Sequence, residues 1–165
     1  MKKIVLLFSM LFILAITNEV KAQDYKSAIG LRLGYPVSIS YKTFLSESNA
    51  LELLAGYRGY SGIYSYFTVG ALYEFHNPIA DVEGLSWYYG FGASVQFFTY
   101  DEDYLFFDDN NGSVGLGLSG VIGLDYKFPS APVNLSLDFV PTIRLGGWDS
   151  GYYSWGAFAA RYVLN

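Results

Sequence analysis

The feature that most constrains this chain is a strict alternation of residue types between positions 87 and 98. One set of alternate positions is apolar: Trp87, Tyr89, Phe91, Ala93, Val95 and Phe97. The interleaved set is smaller or more polar: Tyr88, Gly90, Gly92, Ser94, Gln96 and Phe98. Successive side chains of a β-strand point to opposite faces of a sheet, so this period of two predicts a strand with one large apolar face.

The same alternation recurs in seven other segments. Their apolar sets begin at Ile29, Val37, Leu51, Phe67, Val114, Val133 and Phe158. Bacterial single-chain outer-membrane barrels have an even number of strands, and most of these segments approach the roughly 9–11 residues that a tilted strand needs to cross hydrocarbon. We expect the last strand to pair with the first, which removes unpaired edges. The sequence therefore predicts an all-β fold, an eight-stranded antiparallel up-and-down transmembrane β-barrel.

Charged residues in the predicted strands fall almost entirely on the face opposite the apolar one. A barrel of about eight strands is filled by its own side chains, so this face would line a plugged lumen. Nine glycines share the face and leave room for long side chains. Isolated buried charges cost several kcal/mol each, so we expect them to pair. The predicted lumen ion-pair network comprises Arg32, Glu52, Arg58, Glu74, Asp125, Asp138, Arg144 and Arg161.

Two other interpretations of the alternation differ in what fills the barrel. A narrow passive pore for small solutes would need the inward charges to leave a continuous wet path. A soluble lipocalin-like carrier would need an apolar lumen, the reverse of the polarity found here. Conductance distinguishes the first alternative from a plugged barrel, and membrane fractionation distinguishes the second.

The N-terminal segment has the organisation of a secretory signal peptide. Lys2 and Lys3 precede an apolar stretch, and Val20, Lys21 and Ala22 form a small-residue cleavage site. We expect residues 1–22 to be removed and 23–165 to form one barrel domain in the outer membrane. That mature part carries 7 bases and 14 acids, since three of the ten bases and one of the fifteen acids lie in the leader. Nucleic acid is an unsuitable partner for such an acidic chain.

Aromatic residues cluster near both predicted ends of the strands, as expected for two membrane interfaces. The predicted lower belt is Tyr73, Phe75, Trp87, Tyr89, Tyr126, Phe128 and Tyr162. The predicted upper belt is Tyr35, Tyr57, Phe67 and Phe97. Pro141 interrupts the seventh strand and deletes a ladder donor there, which predicts a bulge or a register shift at residues 140–142.

Four segments carry a family resemblance: residues 28–36, 84–93, 134–141 and 161–164. Together they resemble the small OmpA/OmpX-like outer-membrane β-barrel proteins of the Bacteroidetes type, over essentially the whole mature chain. The resemblance implies a monomer in outer-membrane lipid that is inserted by the barrel-insertion machinery. It implies no activity. Barrels of that class often end in an aromatic residue, whereas this chain ends Leu164–Asn165.

Residues suited to catalysis or metal binding are few. His76 is the one histidine, and we interpret it as a hydrogen-bonded turn residue before Asn77 and Pro78 rather than a general base. The acidic segment 101–111 departs from a calcium-loop pattern, because Gly112 stands where a third ligand is needed. The chain has no cysteine. We therefore predict no catalytic residue, no metal site and no cofactor.

Surface recognition is the remaining candidate role. We expect the outward loops to lie at 59–63, 99–112 and 146–151. Aromatic residues in or beside them suit an unknown extracellular ligand or protein. The candidate recognition residues are Tyr60, Tyr64, Tyr100, Tyr104, Phe106, Trp148 and Tyr152. The sequence thus favours a structural or surface-interaction barrel.

Overall fold

A computed structural model describes residues 25–60, 64–100, 114–145 and 150–164. The predicted signal peptide and most of the predicted loop residues lie outside these ranges. The strands are β1 (Ser27–Leu33), β2 (Val37–Phe44), β3 (Asn49–Tyr60), β4 (Tyr64–Pro78), β5 (Leu85–Tyr100), β6 (Val114–Lys127), β7 (Val133–Leu145) and β8 (Gly151–Val163). Within the described residues, no helix is long and apolar enough to cross a membrane.

The eight strands form a closed barrel in which each pairs antiparallel with its sequence neighbour and β8 pairs with β1. The predicted all-β, eight-stranded, up-and-down architecture is confirmed. We call the end where β1 begins the lower end. The turns at 45–48, 79–84 and 128–132 lie there, and the turn at 34–36 lies at the upper end.

Strand stagger follows from the pairing register. One circuit of partners from Pro78 through the other seven strands returns to β4 at Thr68, ten residues away. Such a stagger requires strands tilted by roughly 35–45° from the barrel axis. Residues distant in sequence and unpaired in the sheet are thereby brought to the same height inside the barrel.

Glycines on the lumen side of β5 permit close approach to β4. A Cβ on Gly90 would lie 2.1 Å from the Tyr73 carbonyl oxygen, and a Cβ on Gly92 would lie 2.1 Å from that of Ala71. No side chain fits at these distances. The two glycines therefore set how tightly the wall bends at this point.

The two faces of the wall differ sharply in polarity. Leu137 is 60% exposed and Phe91 62%, whereas Ser136 and Asp138 on either side of Leu137 are buried. The outward registers of the other strands are similarly apolar and exposed. The charged side chains Lys42, Glu52 and Glu74 are completely buried inside. This polarity is the reverse of a soluble protein, which keeps charge outside and apolar groups inside.

Tyr35 departs from the predicted outward register. Its ring lies 5.3 Å from that of Trp155, and the Arg58 guanidinium lies over it at 3.9 Å. β1 ends at Leu33, so Tyr35 belongs to the turn and is not bound by strand alternation. Its assignment to the outer aromatic belt was wrong; the ring covers the upper end of the lumen.

Pro141 causes neither a bulge nor a register shift, so that prediction was wrong. Pairing between β6 and β7 stops after Ser119↔Thr142 and resumes at Ile122↔Phe139 with the same alignment. On the other side, Pro141 pairs with Ser154 without interruption. Gly120 faces the proline ring with space for it, since a Cβ there would lie 3.5 Å from Pro141 Cγ. The missing donor is accommodated locally.

Candidate functional site in the barrel lumen

The lumen is divided into layers by the inward-facing side chains. At the lower end lies an ion-pair layer composed of Arg32, Lys42, Glu52, Glu74, Asp125, Asp138 and Arg161. Above it lies an apolar layer composed of Leu54, Leu72, Tyr88, Val121, Val140 and Trp155. A cavity, which we call the upper chamber, occupies the lumen above that.

Lys42 is the centre of the ion-pair layer. Its Nζ lies 2.7 Å from Glu74 Oε2, 3.2 Å from Asp125 Oδ1 and 4.0 Å from Glu52 Oε2. It also lies 4.5 Å from the centre of the Tyr88 ring. Lys42 was absent from the network predicted from the sequence. The signal was available, because alternation with Val37, Ile39 and Tyr41 places Lys42 on the inward face of its strand.

Two arginines complete the layer by sharing Glu52. Arg32 donates from Nη1 to Glu52 Oε2 at 3.0 Å and from Nη2 to Asp138 Oδ1 at 2.6 Å. Arg161 contacts Glu52 Oε1 through Nη2 and donates from Nε to Ser40 Oγ at 2.7 Å. Each guanidinium therefore spans several strands, which ties distant parts of the wall together.

His76 lies inside the lumen, so its interpretation as a turn residue was wrong. It belongs to β4 and is 2% exposed. Its Nε2 lies 2.9 Å from Glu74 Oε2 and its Nδ1 lies 3.2 Å from Ser86 Oγ. The imidazole stacks on Tyr88 at 4.8 Å and lies 4.9 Å from the Phe44 ring. A strand that continues through His76 carries the side chain inward.

A serine, a histidine and a carboxylate in contact invite a hydrolytic interpretation. A hydrolase needs the hydroxyl open to a substrate carbonyl, whereas Ser86 is 5% exposed. Glu74 is also engaged by Lys42, and aromatic rings flank the imidazole. The contacts therefore describe a hydrogen-bonded link between β4 and β5 that extends the ion-pair layer downward.

Tyr25 covers the lower end of the lumen. Its hydroxyl donates to Asp125 Oδ2 at 3.3 Å, and its ring meets Phe44 edge-on at 5.1 Å. Burial, reinforced by the negative charge of Asp125, raises the pKa of the Tyr25 hydroxyl well above its usual value. The hydroxyl therefore stays protonated and remains a donor.

The apolar layer interrupts the polar lumen. Leu72, Val121 and Val140 are buried against one another, with Tyr88 beneath them. Tyr88 donates its hydroxyl to Asp138 Oδ2 at 2.6 Å and so joins this layer to the ion pairs. Packed apolar side chains therefore occupy the lumen between the ion-pair layer and the upper chamber.

Arg58 and Arg144 lie apart from the other predicted network residues. Each stands six residues along its strand from the nearest predicted acid, Glu52 or Asp138, which is about 20 Å at roughly 3.3 Å per residue. The Arg144 guanidinium lies 4.5 Å from the Tyr153 ring centre, and that of Arg58 lies over Tyr35. Both guanidiniums stack on aromatic rings at the upper end of the lumen.

The upper chamber has a volume of about 80 Å³. Leu72 and Val140 form part of its floor, and Trp155, Gln96 and Tyr66 contribute to its walls. This cavity was not predicted from the sequence. It requires knowledge of which side chains share a height, which alternation alone does not give.

The candidate recognition residues are described only in part. Tyr152 lies in β8 on the outward face and is 66% exposed. Tyr60, Tyr64 and Tyr100 are terminal residues of β3, β4 and β5, and their side chains lie outside the described structure. Tyr104, Phe106, Trp148 and the acidic segment 101–111 lie outside it entirely. In the part that is described, no group of three or more histidine or acidic side chains could hold a metal ion.

Comparisons with known proteins bear on the fold. No family profile matches the chain. Among solved structures, the chain is similar to the N-terminal β-barrel domain of Pseudomonas aeruginosa OprF, with a TM-score of 0.54 and 16% identity over 85% of this chain and 100% of that domain. At this identity the likeness shows the eight-stranded barrel fold alone.

One curated protein is similar in sequence. NADH-quinone oxidoreductase subunit N of Rickettsia felis is 29% identical over 169 residues, covering 88% of this chain. The chain spans about a third of the length of that protein, 34%. Such a partial match establishes no family for this chain.

The glycine-rich stretch 115–120 superficially resembles a phosphate-binding fingerprint. It lies within β6 and is followed by strand, whereas a phosphate-binding site of that type needs the N-terminus of a helix.

Proposed function

We propose that this protein is an integral outer-membrane β-barrel with a plugged lumen, and that its role is structural or in surface interaction, without catalysis. The observation that carries the proposal is the polarity of the wall, in which large apolar side chains cover the outside and ionised ones are buried inside. Hydrocarbon is the solvent that suits such an outer surface. The OprF-like architecture supports the same conclusion.

Export through a cleaved leader at residues 1–22 and assembly as a monomer complete the proposal. Outer-membrane lipid and the barrel-insertion machinery are the partners that it requires. A surface-interaction role would rest on the loop aromatics, with an extracellular ligand or protein as partner. The blocked lumen favours this proposal over a passive pore, and its charges favour it over a soluble lipocalin-like carrier.

Two adjacent positions on opposite faces of β7 provide a sharp test. The chain has no cysteine, so Leu137→Cys and Ser136→Cys each offer one labelling site for a nitroxide spin label. In lipid vesicles, we expect the label at position 137 to relax strongly with dissolved oxygen, which concentrates in hydrocarbon. The label at position 136 faces the lumen, so we expect weak oxygen relaxation.

The Ser136→Cys variant is the matched control. The two labels are attached to consecutive residues of β7, so they lie at nearly the same depth whichever way the barrel is oriented in the membrane. Equal relaxation at the two positions would contradict the proposal. Recovery of the native protein in the soluble fraction after osmotic shock, without detergent, would instead favour the soluble carrier.

A further inference from the structure

We propose that the upper chamber is a binding site for a small, mostly apolar molecule that carries one hydrogen-bond donor, such as a hydroxyl or amino group. The inference goes beyond a structural or surface role. It depends on the closed barrel and on the side chains inside it, and not on the membrane in which the barrel resides.

The size of the chamber sets the class of ligand. A cavity needs a volume of about 10–15 Å³ to hold one buried water molecule. The chamber volume of about 80 Å³ is several times larger than that. A single aromatic ring or a branched alkyl group suits this space. Leu72 and Val140 form part of its floor, and Arg32 of the ion-pair layer also lines it. The packed side chains below leave the upper end as the way in for a ligand.

Most hydroxyl groups that line the chamber are already hydrogen-bonded within the wall. Ser119 and Thr142 bond to each other at 2.8 Å. Thr68 donates its hydroxyl to the Val95 carbonyl oxygen at 3.2 Å. These groups gain little from a polar ligand, and they present their carbon atoms to the cavity.

The amide of Gln96 differs from these hydroxyl groups. It is 4% exposed, and its Nε2 donates to Ser94 Oγ at 2.6 Å. Its Oε1 is buried but accepts no hydrogen bond from the residues that the structure describes. A Cβ on Gly115 would lie 3.0 Å from this oxygen, so the oxygen occupies space that the glycine leaves free beside the ring of Phe98.

A buried acceptor without a donor is costly, and a ligand that supplies the donor recovers that cost. Trp155 and Tyr66 offer aromatic surface to the rest of the molecule. The chamber is also lined by Arg32, which pairs with Glu52 and Asp138, and by Arg144, which stacks on Tyr153. The polar atom of the ligand is therefore assigned to Gln96, and a few polar groups in a cavity with apolar walls are the usual composition of a small-molecule site.

The test compares two probes of nearly the same shape. The full chain, refolded in detergent micelles, is titrated with 4-fluorophenol and with 4-fluorotoluene, and ¹⁹F NMR follows binding. The two differ in that a hydroxyl replaces a methyl group. We expect saturable binding of 4-fluorophenol with a dissociation constant at least tenfold lower than that of 4-fluorotoluene. This comparison needs no variant.

Two substitutions locate the site. Gln96→Leu removes the acceptor, so we expect it to abolish the preference for 4-fluorophenol while 4-fluorotoluene still binds. Ala157→Leu fills the chamber from β8, where Ala157 is buried in the lining, so we expect loss of both probes. Ala160→Leu is the matched control, because Ala160 lies on the outward face of the same strand and its enlargement should change neither affinity.

Three results would overturn the proposal. Equal affinity of the two probes would remove the role of Gln96. Binding that never saturates would indicate partition into detergent only. An equal effect of Ala157→Leu and Ala160→Leu would place the probes outside the lumen. None of these results would alter the oxygen relaxation expected at positions 136 and 137, so failure here is distinguishable from failure of the proposed membrane location.

Discussion

Lys42 carries its charge into a fully buried site, where three carboxylates surround it. The contacts to Glu74, Asp125 and Glu52, together with the face of the Tyr88 ring, compensate for this burial. The reverse also holds, because those carboxylates depend on Lys42. Removing one partner from such a cluster costs more than the pair contributes, since the remaining charges stay buried together.

Substitution of Lys42 by methionine tests this dependence. Lys42→Met keeps the length and apolar stem of the side chain but deletes the charge, so we expect the free energy of unfolding to fall by about 3–5 kcal/mol. Urea unfolding of the barrel in lipid vesicles measures it. Lys26→Met, at an exposed position, is the control and should change stability by less than about 0.5 kcal/mol.

The partner of Lys42 provides a second check. Glu74→Gln removes the nearest carboxylate charge, so the double variant should be less unstable than the two separate losses would give. Simple addition of the two effects would contradict direct coupling between these groups.

Alternation predicts which way a residue faces but not which neighbours it meets. It placed Glu52, Asp138 and Arg161 on the lumen side, and the structure brings them together around shared contacts. It gave no reason to separate Arg58 and Arg144 from them. For His76 the adjacent Asn77 and Pro78 resembled a turn, whereas β4 continues to Pro78. Local turn signals gave way to sheet pairing.

At the scale of the strand, glycines control how closely the backbones of β4 and β5 approach. Gly92→Ala would place a Cβ against the Ala71 carbonyl oxygen, and backbone cannot move aside as a side chain can. We expect the variant to lose about 1–3 kcal/mol of stability, the usual cost of overpacking. Urea unfolding again gives the measurement.

Gly156→Ala is the matched control, because a Cβ there meets only the Asp138 carbonyl oxygen at 3.8 Å, an ordinary contact. Its stability should equal or slightly exceed that of the native chain, since alanine restricts the unfolded state more than glycine. Equal losses from the two substitutions would show that strand propensity, rather than close approach, determines the effect.

Strand number and pairing order follow from the sequence because eight alternating segments joined by turns leave few arrangements. Pro141 shows where element-level reasoning was incomplete. The missing donor was expected to displace the strand, but the small partner Gly120 accommodates the ring without a change of register. The effect of a proline depends on the residue opposite it, which only the register reveals.

At the scale of the whole barrel, the stagger of ten residues determines which inward side chains share a level. The ion-pair layer, the apolar layer and the upper chamber are consequences of that stagger, and alternation is blind to it. Lys42, on β2, reaches Asp125 on β6 because the tilted strands bring both to one height. Six of the eight residues predicted as a network lie in the ion-pair layer, whereas Arg58 and Arg144 lie above it. Alternation gave no indication of the apolar layer.

The ion-pair layer and the apolar layer lie one above the other along the lumen, and this arrangement predicts whether the barrel conducts ions. Ions crossing it would have to pass packed apolar side chains and then fixed ion pairs, so we expect the native protein to give no conductance steps in planar bilayers. Leu72→Gly with Val140→Gly opens only the apolar layer, and Arg161→Ser with Tyr25→Gly opens only the ion-pair layer and the lower end that Tyr25 covers. Each should remain silent, because the other closure persists.

Only the variant that combines all four substitutions should conduct, since it opens the apolar layer, the ion-pair layer and the lower end along one path. Steps from the native protein, or from a variant with one layer intact, would show a wet route past these side chains and would favour the passive pore. Silence from a combined variant that retains the barrel fold would place the closure elsewhere in the lumen. Two closures in series therefore predict conductance when both layers are altered and none while either layer is intact.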